Sequence, residues 1–510
     1  MKQILYLLLG CLIPFQFLTA KMYSSPERTP VDYVNPYIGN ISHLLVPTYP
    51  TVHLPNSMLR VYPERENFTG NTINGLPLIV TSHRGSSAFN LSPYQGELQK
   101  AGSIIQYGYD NEVIKPYYYS VDLDDDGMYV QYASSHQSGI YQIDFSQTDK
   151  PAYLIFNTRD GELKTDGKSI SGYQKLGNHT QVYIYLETDQ QPLKIGTHQG
   201  AVIRTTDKST QGHNAYYILE YPKGTASVLL RYGVSFISSE QAKQNLRREI
   251  KNYNLQAVDD KGRSVWNETL GKIFVKGGTE NEKTVFYTSL YRTYERMICI
   301  SEDGRYFSAY DGQVHDDEGI PFYVDDWIWD TYRATHPLRL IIETEMESNM
   351  VNSLIRMAYQ MQPNWMPTFP EINGDSRRMN CNHGVATVLD AYNKGMRSFD
   401  LAKAYQVCKA AITEKTLAPW SSKPAGVLDQ FYKDHGYFPA LAVGEQETVP
   451  EVHSWERRQP AAVTLGTVYD EWCLGNIAQA LGDKKEADYF LKRSLNYHKI
   501  FNKETCFFHP

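Results

Sequence analysis

The segment FYVDDWIWDTYRATHPL, residues 322–338, places acids and aromatic rings unusually close together. Unpaired carboxylates are costly to bury, and a solvated helix face has little use for two tryptophans and a phenylalanine. Carboxylate and guanidinium groups form hydrogen bonds of fixed geometry, and an indole offers a flat apolar face. These properties allow a ligand-facing role for Asp330 and Arg333. They also allow a structural role, in which Asp330 caps a helix that starts at Thr331 and pairs with Arg333.

More acids lie in two later stretches of the chain. The stretch ETVPEVHSWERR contains three glutamates and one histidine: Glu447, Glu451, Glu456 and His453. The stretch VTLGTVYDEWC, residues 463–473, contains Asp470 and Glu471. Acids on helices are mostly solvated or paired, so a bracing role is the simplest interpretation of the last two.

Composition and charge narrow the class of protein. The chain has 510 residues, 41% of them hydrophobic, and this length predicts about two to four domains. The formal net charge is −7 and there is no basic tract, so nucleic-acid binding is not expected. The 39 tyrosines suit β-sheets and carbohydrate surfaces alike. The five cysteines after residue 20 are far apart and include no CxxC pair, which predicts neither a disulfide framework nor a zinc site, and mostly buried thiols.

The first twenty residues, MKQILYLLLGCLIPFQFLTA, predict a secretory signal peptide that ends at Ala20. An alternative is a lipoprotein signal with Cys11 as the modified residue. The sequence has no other apolar run of about 20 residues, so no integral membrane span is expected. We therefore expect an exported protein that is periplasmic, on the cell surface or extracellular. The sequence gives no basis for predicting an oligomeric state.

The hydrophobic period changes along the chain and predicts a multi-domain β + α architecture. Residues 31–236 alternate with period 2 between turn signals, which predicts an N-terminal antiparallel β-sandwich. Residues 237–282 have helical spacing and are interpreted as a helical linker. Residues 283–510 contain paired amphipathic helices with long loops, which predicts a partial (α/α)6 toroid. Such a toroid needs about twelve helices, so we expect it to be incomplete within these residues.

Three blocks in the second half resemble glycoside hydrolase family 92, the secreted exo-acting α-mannosidases. They are WDTYRATHPL (329–338), DAYNKGMRSFD (390–400) and VYDEWCLGNIAQALG with the following KRSLNYHKIF. The resemblance extends from VNPYIG, near Val34, to the end of the sequence. It implies a β-sandwich followed by an (α/α)6 toroid. It also implies an inverting, calcium-dependent hydrolysis of mannose-containing glycans such as N-glycans or mannans, with α-1,2-mannosidase-like activity.

The resemblance gives roles to several side chains. Asp330 and Arg333 would bind the sugar, with Trp327 or Trp329 as an aromatic wall. His383 matches a position beside the sugar subsite, although a histidine at a helix start can also be a cap or a packed residue. Asp470 and Glu471 match the paired acids of the family. We treat all of these residues as candidate substrate contacts.

The sequence departs from the family at the position of the general acid. The family usually has a glutamate there, whereas this chain has Gly466, which cannot donate a proton. The donor could be Glu447, Glu451 or Glu456 instead. Alternatively, the substrate could be a mannosyl phosphate, whose leaving group needs no acid. A third interpretation is a non-catalytic carbohydrate-binding relative. An unrelated (α/α) enzyme such as a polysaccharide lyase is not favoured, because the three blocks argue against it.

Calcium is implied by the resemblance alone. Most of its ligands, and the general base, are expected in family sequence that follows residue 510. The stretch HDDEG, residues 315–319, lacks the spacing of a calcium-binding loop. No metal ligand is therefore assigned within this sequence.

Overall fold

A computed structural model describes residues 28–42, 48–66, 69–81, 87–123, 127–146, 149–177, 179–200 and 202–509. The predicted signal peptide and Cys11 lie outside these ranges, so both stay predictions. None of the helices within the ranges combines the length and apolar character needed to cross a bilayer.

Short strands rich in tyrosine and β-branched residues fill the N-terminal part of the chain, as their alternation predicts. They are Val52–His53 (β1), Arg60–Val61 (β2), Thr72–Asn74 (β3), Leu76–Pro77 (β4), Phe89–Tyr94 (β5), Gln106–Lys115 (β6), Tyr118–Leu123 (β7), Met128–Ser134 (β8), Ser138–Asp144 (β9), Ala152–Thr165 (β10), Ser169–Gly177 (β11), Thr180–Thr188 (β12), Lys194–Gln199 (β13), Val202–Arg204 (β14), Ser209–Tyr221 (β15) and Ser227–Ser235 (β16).

Most of these strands form one antiparallel sheet that folds into two layers. Within the described residues its path runs β14-β13-β15-β10-β11-β12-β16-β9-β8-β7-β6-β3. The long strand β10 joins the layers, because its first half pairs with β5 and its second half pairs with β11, while β15 follows it on the other side. Hydroxyls connect the layers across the core. Tyr141 Oη donates to the carbonyl of Pro77 at 2.6 Å, and Tyr232 Oη donates to that of Leu78 at 2.7 Å.

Helices dominate from Ser239 onward, and short strands lie in their loops. The helices are Ser239–Glu249 (α1), Leu255–Leu270 (α2), Glu280–Thr293 (α3), Ile328–Thr331 (α4), Thr335–Ile342 (α5), Thr344–Gln360 (α6), Gly384–Asn393 (α7), Leu401–Thr413 (α8), Val427–His435 (α9), Pro460–Ala480 (α10) and Lys484–Arg493 (α11). The short strands are Ile298–Cys299 (β17), Arg305–Ser308 (β18), Gln313–Asp316 (β19), Tyr323–Val324 (β20), Pro370–Glu371 (β21), Gly374–Asp375 (β22), Phe501–Asn502 (β23) and Phe507–Phe508 (β24).

Helix α10 is the centre of the helical part, because it packs against α7, α8 and α11. The first two helices belong instead to the sheet, with α1 on β16 and β12 and α2 on β8. One cluster of buried apolar residues runs from the sheet strands into α6, α7, α8 and α10. The predicted linker, residues 237–282, is therefore packed on the sheet, and α3 already begins at Glu280 within it. The division at this linker stays a prediction, which limited proteolysis can test.

Candidate active site

Two of the three carboxylates in residues 322–338 are buried and paired. Asp325 has a left-handed backbone, with φ of 68°. It accepts hydrogen bonds from Arg60 at 2.5 Å and from Arg296 at 2.6 Å. Arg60 comes from strand β2, so an ion pair ties this segment to the two-stranded sheet of β1 and β2. Burying such a pair is tolerated because each charge has its partner.

Asp326 belongs to a buried triad with a histidine. His336 Nε2 lies 2.8 Å from Asp326 Oδ2, and His336 Nδ1 lies 2.7 Å from Glu347 Oε1. Burial alone would lower the pKa of His336, but the carboxylates of Glu347 and Asp326 raise it to about 10. The imidazolium thus neutralises two acids that would be costly to bury unpaired. Asp325 and Asp326 therefore shape the segment and leave Asp330 as its exposed acid.

Asp330 lies inside helix α4, whose N-cap is Trp327. The interpretation of Asp330 as the cap of a helix starting at Thr331 is therefore wrong. The side chains of Asp330 and Arg333 are both exposed. The Arg333 guanidinium carbon lies 5.0 Å from the ring centroid of Trp329, close enough for a cation–π interaction. The carboxylate of Asp330, the guanidinium of Arg333 and the indole of Trp329 thus lie together near the surface.

The two tryptophans have different surroundings. Trp327 has Arg296 over its ring at 4.0 Å and Phe369 stacked at 5.8 Å. Trp329 donates from Nε1 to Asn380 Oδ1 at 3.1 Å. Trp327 is therefore packed among protein groups, and Trp329 is the better candidate for an aromatic wall.

His383 lies at the start of α7 and is oriented by α10. Its Nδ1 lies 2.7 Å from Asp470 Oδ1, while Asp470 Oδ2 accepts the backbone N–H of Asn382 at 2.7 Å. The ring of His383 packs on the ring of Tyr332, with 4.2 Å between their centroids. Tyr332 follows helix α4, which contains Asp330, and directly precedes Arg333. The structure thus brings His383 to the segment that carries Asp330, Trp329 and Arg333.

Asp470 and Glu471 point to different sides of α10. Asp470 is fully buried with both oxygens engaged. Glu471 accepts from Arg493 Nε at 2.6 Å and from the Tyr432 hydroxyl at 3.0 Å. This geometry favours a bracing role for both acids over contact with a ligand.

An aromatic row extends from His383 along the outer side of α10. Tyr469 lies 6.1 Å from Tyr332, and the Trp472 ring is stacked 6.2 Å from Tyr469. Tyr469 and Trp472 are 40% and 43% exposed. Neither ring was among the predicted site residues, although their i, i+3 spacing on a helix was a visible signal.

Gly466 faces the thiol of a distant cysteine. A Cβ at this position would clash with Cys381 Sγ, and it would lie 3.0 Å from Cys381 Cβ and 3.5 Å from His383 Cε1. Cys381 is buried and has a left-handed backbone, with φ of 67°. Burial raises the pKa of its thiol well above the usual range, so the group is protonated. The space beside Gly466 is therefore filled by Cys381 rather than by a longer side chain from α10.

The three glutamates proposed as substitute acids have different environments. Glu447 forms a two-point ion pair with Arg458, at 2.6 and 2.8 Å. That hydrogen bonding lowers the pKa of Glu447 and holds it ionised, which makes it a poor proton donor. Glu451 lies against Gly426, at the start of α9. Neither contact leads toward the segment 322–338.

Glu456 is connected to that segment by a chain of hydrogen bonds. Gln459 Nε2 donates to Glu456 Oε2 at 2.7 Å, and Gln459 Oε1 accepts from Asn380 Nδ2 at 2.7 Å. Asn380 in turn accepts from Trp329. Asn380 and Gln459 were missed in the sequence, because two amides far apart along the chain give no local signal. Among the candidate donors, Glu456 has the clearest connection to the half-buried Trp329 and the exposed Asp330 and Arg333.

Two solved structures share the architecture of the chain, and a curated relative matches it in sequence. An inverting family GH92 mannosidase from Bacteroides thetaiotaomicron superposes with a TM-score of 0.83 at 25% identity, covering 95% of this chain and 67% of that one. A GH92 α-mannosidase of the same organism, in complex with mannoimidazole, gives 0.81 at 22% identity, with 94% and 65% covered. An uncharacterized secreted glycosidase of Arthroderma benhamiae is 22% identical, over 98% of this chain and 66% of its own length. The chain thus spans about two thirds of the length of these relatives.

Family models match nearly the whole chain. The N-terminal domain model of glycosyl hydrolase family 92 covers residues 33–235, and the catalytic domain model covers residues 241–510. Together with the superpositions, these matches confirm the predicted fold class, an antiparallel β domain followed by a helical, toroid-type domain. They also confirm the resemblance seen in the sequence. The chain belongs to glycosyl hydrolase family 92.

Proposed function

We propose that this protein is an exported, inverting α-mannosidase that removes mannose from N-glycans or mannans. The observation that carries the proposal is the pair of exposed side chains Asp330 and Arg333, together with the half-buried Trp329, beside His383. The two charged side chains can hydrogen-bond neighbouring sugar hydroxyls, and the indole can cover the apolar face of the ring. The family and the mannosidase neighbours support mannose as the sugar.

We assign the proton donor to Glu456. Inversion requires one carboxylic acid that protonates the glycosidic oxygen and one carboxylate, about 6.5–9.5 Å away, that activates water. In this scheme Glu456 gives its proton to the leaving oxygen as the C1–O bond breaks. The water that attacks C1 gives its proton to the base. As the resemblance to the family implies, we expect that base outside the residues described here.

The resemblance to the family implies a calcium site. Within the described ranges, no three His, Cys, Asp or Glu side chains converge to hold an ion. We therefore derive no step through calcium, and a calcium requirement stays a prediction.

Hydrolysis of a mannosyl phosphate is the second candidate function. Its supporting observation is Gly466, where Cys381 fills the space that an acid from α10 would enter. A phosphate leaving group is stable as an anion and departs without protonation, so a missing acid would cost little. A third candidate, carbohydrate binding without turnover, would use the same group of Asp330, Trp329 and Arg333.

The test is Glu456→Gln in the full-length protein, assayed on an α-linked mannobiose and on an activated aryl mannoside. Loss of a general acid should lower kcat on the disaccharide about 10²–10⁴-fold and affect the aryl mannoside far less. Glu240→Gln is the matched control, since Glu240 is exposed on α1, which packs on the sheet.

Three other outcomes would change the assignment. Equal effects of Glu456→Gln on both substrates would contradict its role as the donor. Turnover of a mannosyl phosphate by the wild type, but not of mannobiose, would favour the second function. If the wild type binds a mannoside but turns over none of these substrates, and Asp330→Ala abolishes that binding, the protein is a lectin-like relative.

A further inference from the structure

A pocket of 690 Å³ opens beside Glu456, in the loop between α9 and α10. Residues 440–460 line it, and we call it the loop pocket. Its volume is within the range of small-molecule sites, about 300–1,000 Å³. Both Glu456 and Gln459, which connects Glu456 to Trp329 through Asn380, face this pocket.

The position of an acid fixes the position of the leaving group. A general acid must be within hydrogen-bond reach of the oxygen that it protonates. In a glycosidase that oxygen belongs to the leaving group, so the leaving group must lie on the side of the acid. If Glu456 is the donor, the loop pocket is the space into which the leaving group extends.

Two arginines line the loop pocket, and they differ in their partners. Arg458 is held by Glu447 through two hydrogen bonds. The guanidinium of Arg457 has neither a hydrogen bond nor an ion pair within the described part of the chain. The backbone of Arg457 is left-handed, with φ of 60°. Such a conformation is costly for a residue other than glycine and concentrates at ligand-binding positions.

The charges of the loop pocket favour a neutral ligand. Three carboxylates, those of Glu445, Glu447 and Glu456, line it together with two guanidinium groups. While Glu456 carries the proton that it donates, the carboxylates of Glu445 and Glu447 balance the two guanidinium groups, so a phosphorylated group would find no excess of positive charge. Sugar hydroxyls, in contrast, can donate to a carboxylate and accept from Arg457 at the same time.

We infer that the loop pocket binds the leaving-group sugar of a neutral glycan, and that Arg457 recognises its hydroxyls. This inference rests on the proposed function, because it takes Glu456 as the donor. It adds that the substrate is an oligosaccharide rather than a mannosyl phosphate, and that Arg457 determines the preference.

The experiment compares the full-length protein with Arg457→Gln on mannobiose and on an aryl mannoside. Loss of a charged hydrogen bond should lower the ratio of kcat/KM for mannobiose to that for the aryl mannoside about 10–100-fold. Arg457→Gly is a second variant, because glycine adopts the left-handed backbone without strain. Arg204→Gln, at an exposed position on β14, is the control and should leave the ratio unchanged.

Calorimetric binding of mannobiose separates this inference from the proposed function. If no variant or wild type turns over substrate, weaker mannobiose binding by both Arg457 variants still supports the loop pocket. Equal binding or an equal ratio in wild type and variants overturns the inference, as does failure of the wild type to bind mannobiose. If the wild type binds a mannosyl phosphate more tightly than mannobiose, and Arg457→Gln removes that difference, the inference of a neutral ligand is overturned.

Discussion

Replacing Gly466 by alanine should destabilise the protein, although alanine is the better helix former. In an open position within α10 the change would stabilise by about 0.8–1 kcal/mol. Here the new Cβ meets Cys381 Sγ well inside the 3.0 Å that real Cβ contacts respect. Overpacking of this kind costs about 1–3 kcal/mol. The sign of the change in unfolding free energy therefore reports whether the thiol fills the space.

A double-mutant cycle with Cys381→Gly isolates this contact. Glycine removes the thiol and accepts the left-handed backbone at this position. In that background Gly466→Ala should become neutral or stabilising, which gives a coupling of about 1–3 kcal/mol. Urea unfolding followed by tryptophan fluorescence measures it, and Cys299→Ala serves as a control that should be additive. A coupling below about 0.5 kcal/mol, or stabilisation by Gly466→Ala alone, would refute the packing argument.

Other expectations follow from the same structure. The pKa of His336 is raised above its unfolded value of 6.5 to about 10, so its stabilisation is complete below pH 6.5 and lost as pH rises to 10. Stability should fall across that window, by at most about 5 kcal/mol, and less steeply in His336→Gln; parallel urea midpoints would contradict this. Trypsin should first cut the exposed segment at Lys276, between α2 and α3; early cuts inside the sheet, mapped by mass spectrometry, would count against two domains. Asp330→Ala should weaken mannoside binding about 10-fold or more by calorimetry, and unchanged affinity would remove Asp330 from the site. Residues 1–30 should carry a fused reporter out of the cytoplasm, and a reporter retained there would exclude a signal peptide.

The sequence was sufficient for the class of fold, because the periods of 2 and 3.6 are local properties. Runs such as VYIYLET become strands, and the amphipathic run around Leu354 becomes α6. Trp329 and Arg333 lie four residues apart, so their proximity follows from local structure. Their role toward a sugar came from the resemblance to the family and stays a prediction.

The rest of the site depends on contacts between distant parts of the chain. Nothing near Asp325 in the sequence indicates that Arg60 would pair with it, and nothing near Gly466 indicates Cys381. In the sequence, the three glutamates of residues 447–456 are equivalent candidate donors. In the structure only the contact of Glu456 with Gln459 connects one of them to the segment 322–338. Such pairings are set by the fold as a whole, so a single sequence does not reveal them.

The ion pair between Arg60 and Asp325 couples the stability of strand β2 to the binding of a glycan near Trp329. Strand β2 and the segment that carries Trp329 are held together by it, and the apolar core continues across the junction. A ligand that binds only the folded segment stabilises everything that must unfold with it. Amide hydrogen exchange should therefore slow in β2 when a sugar binds near Trp329, and Arg60→Met should confine that protection to the helices.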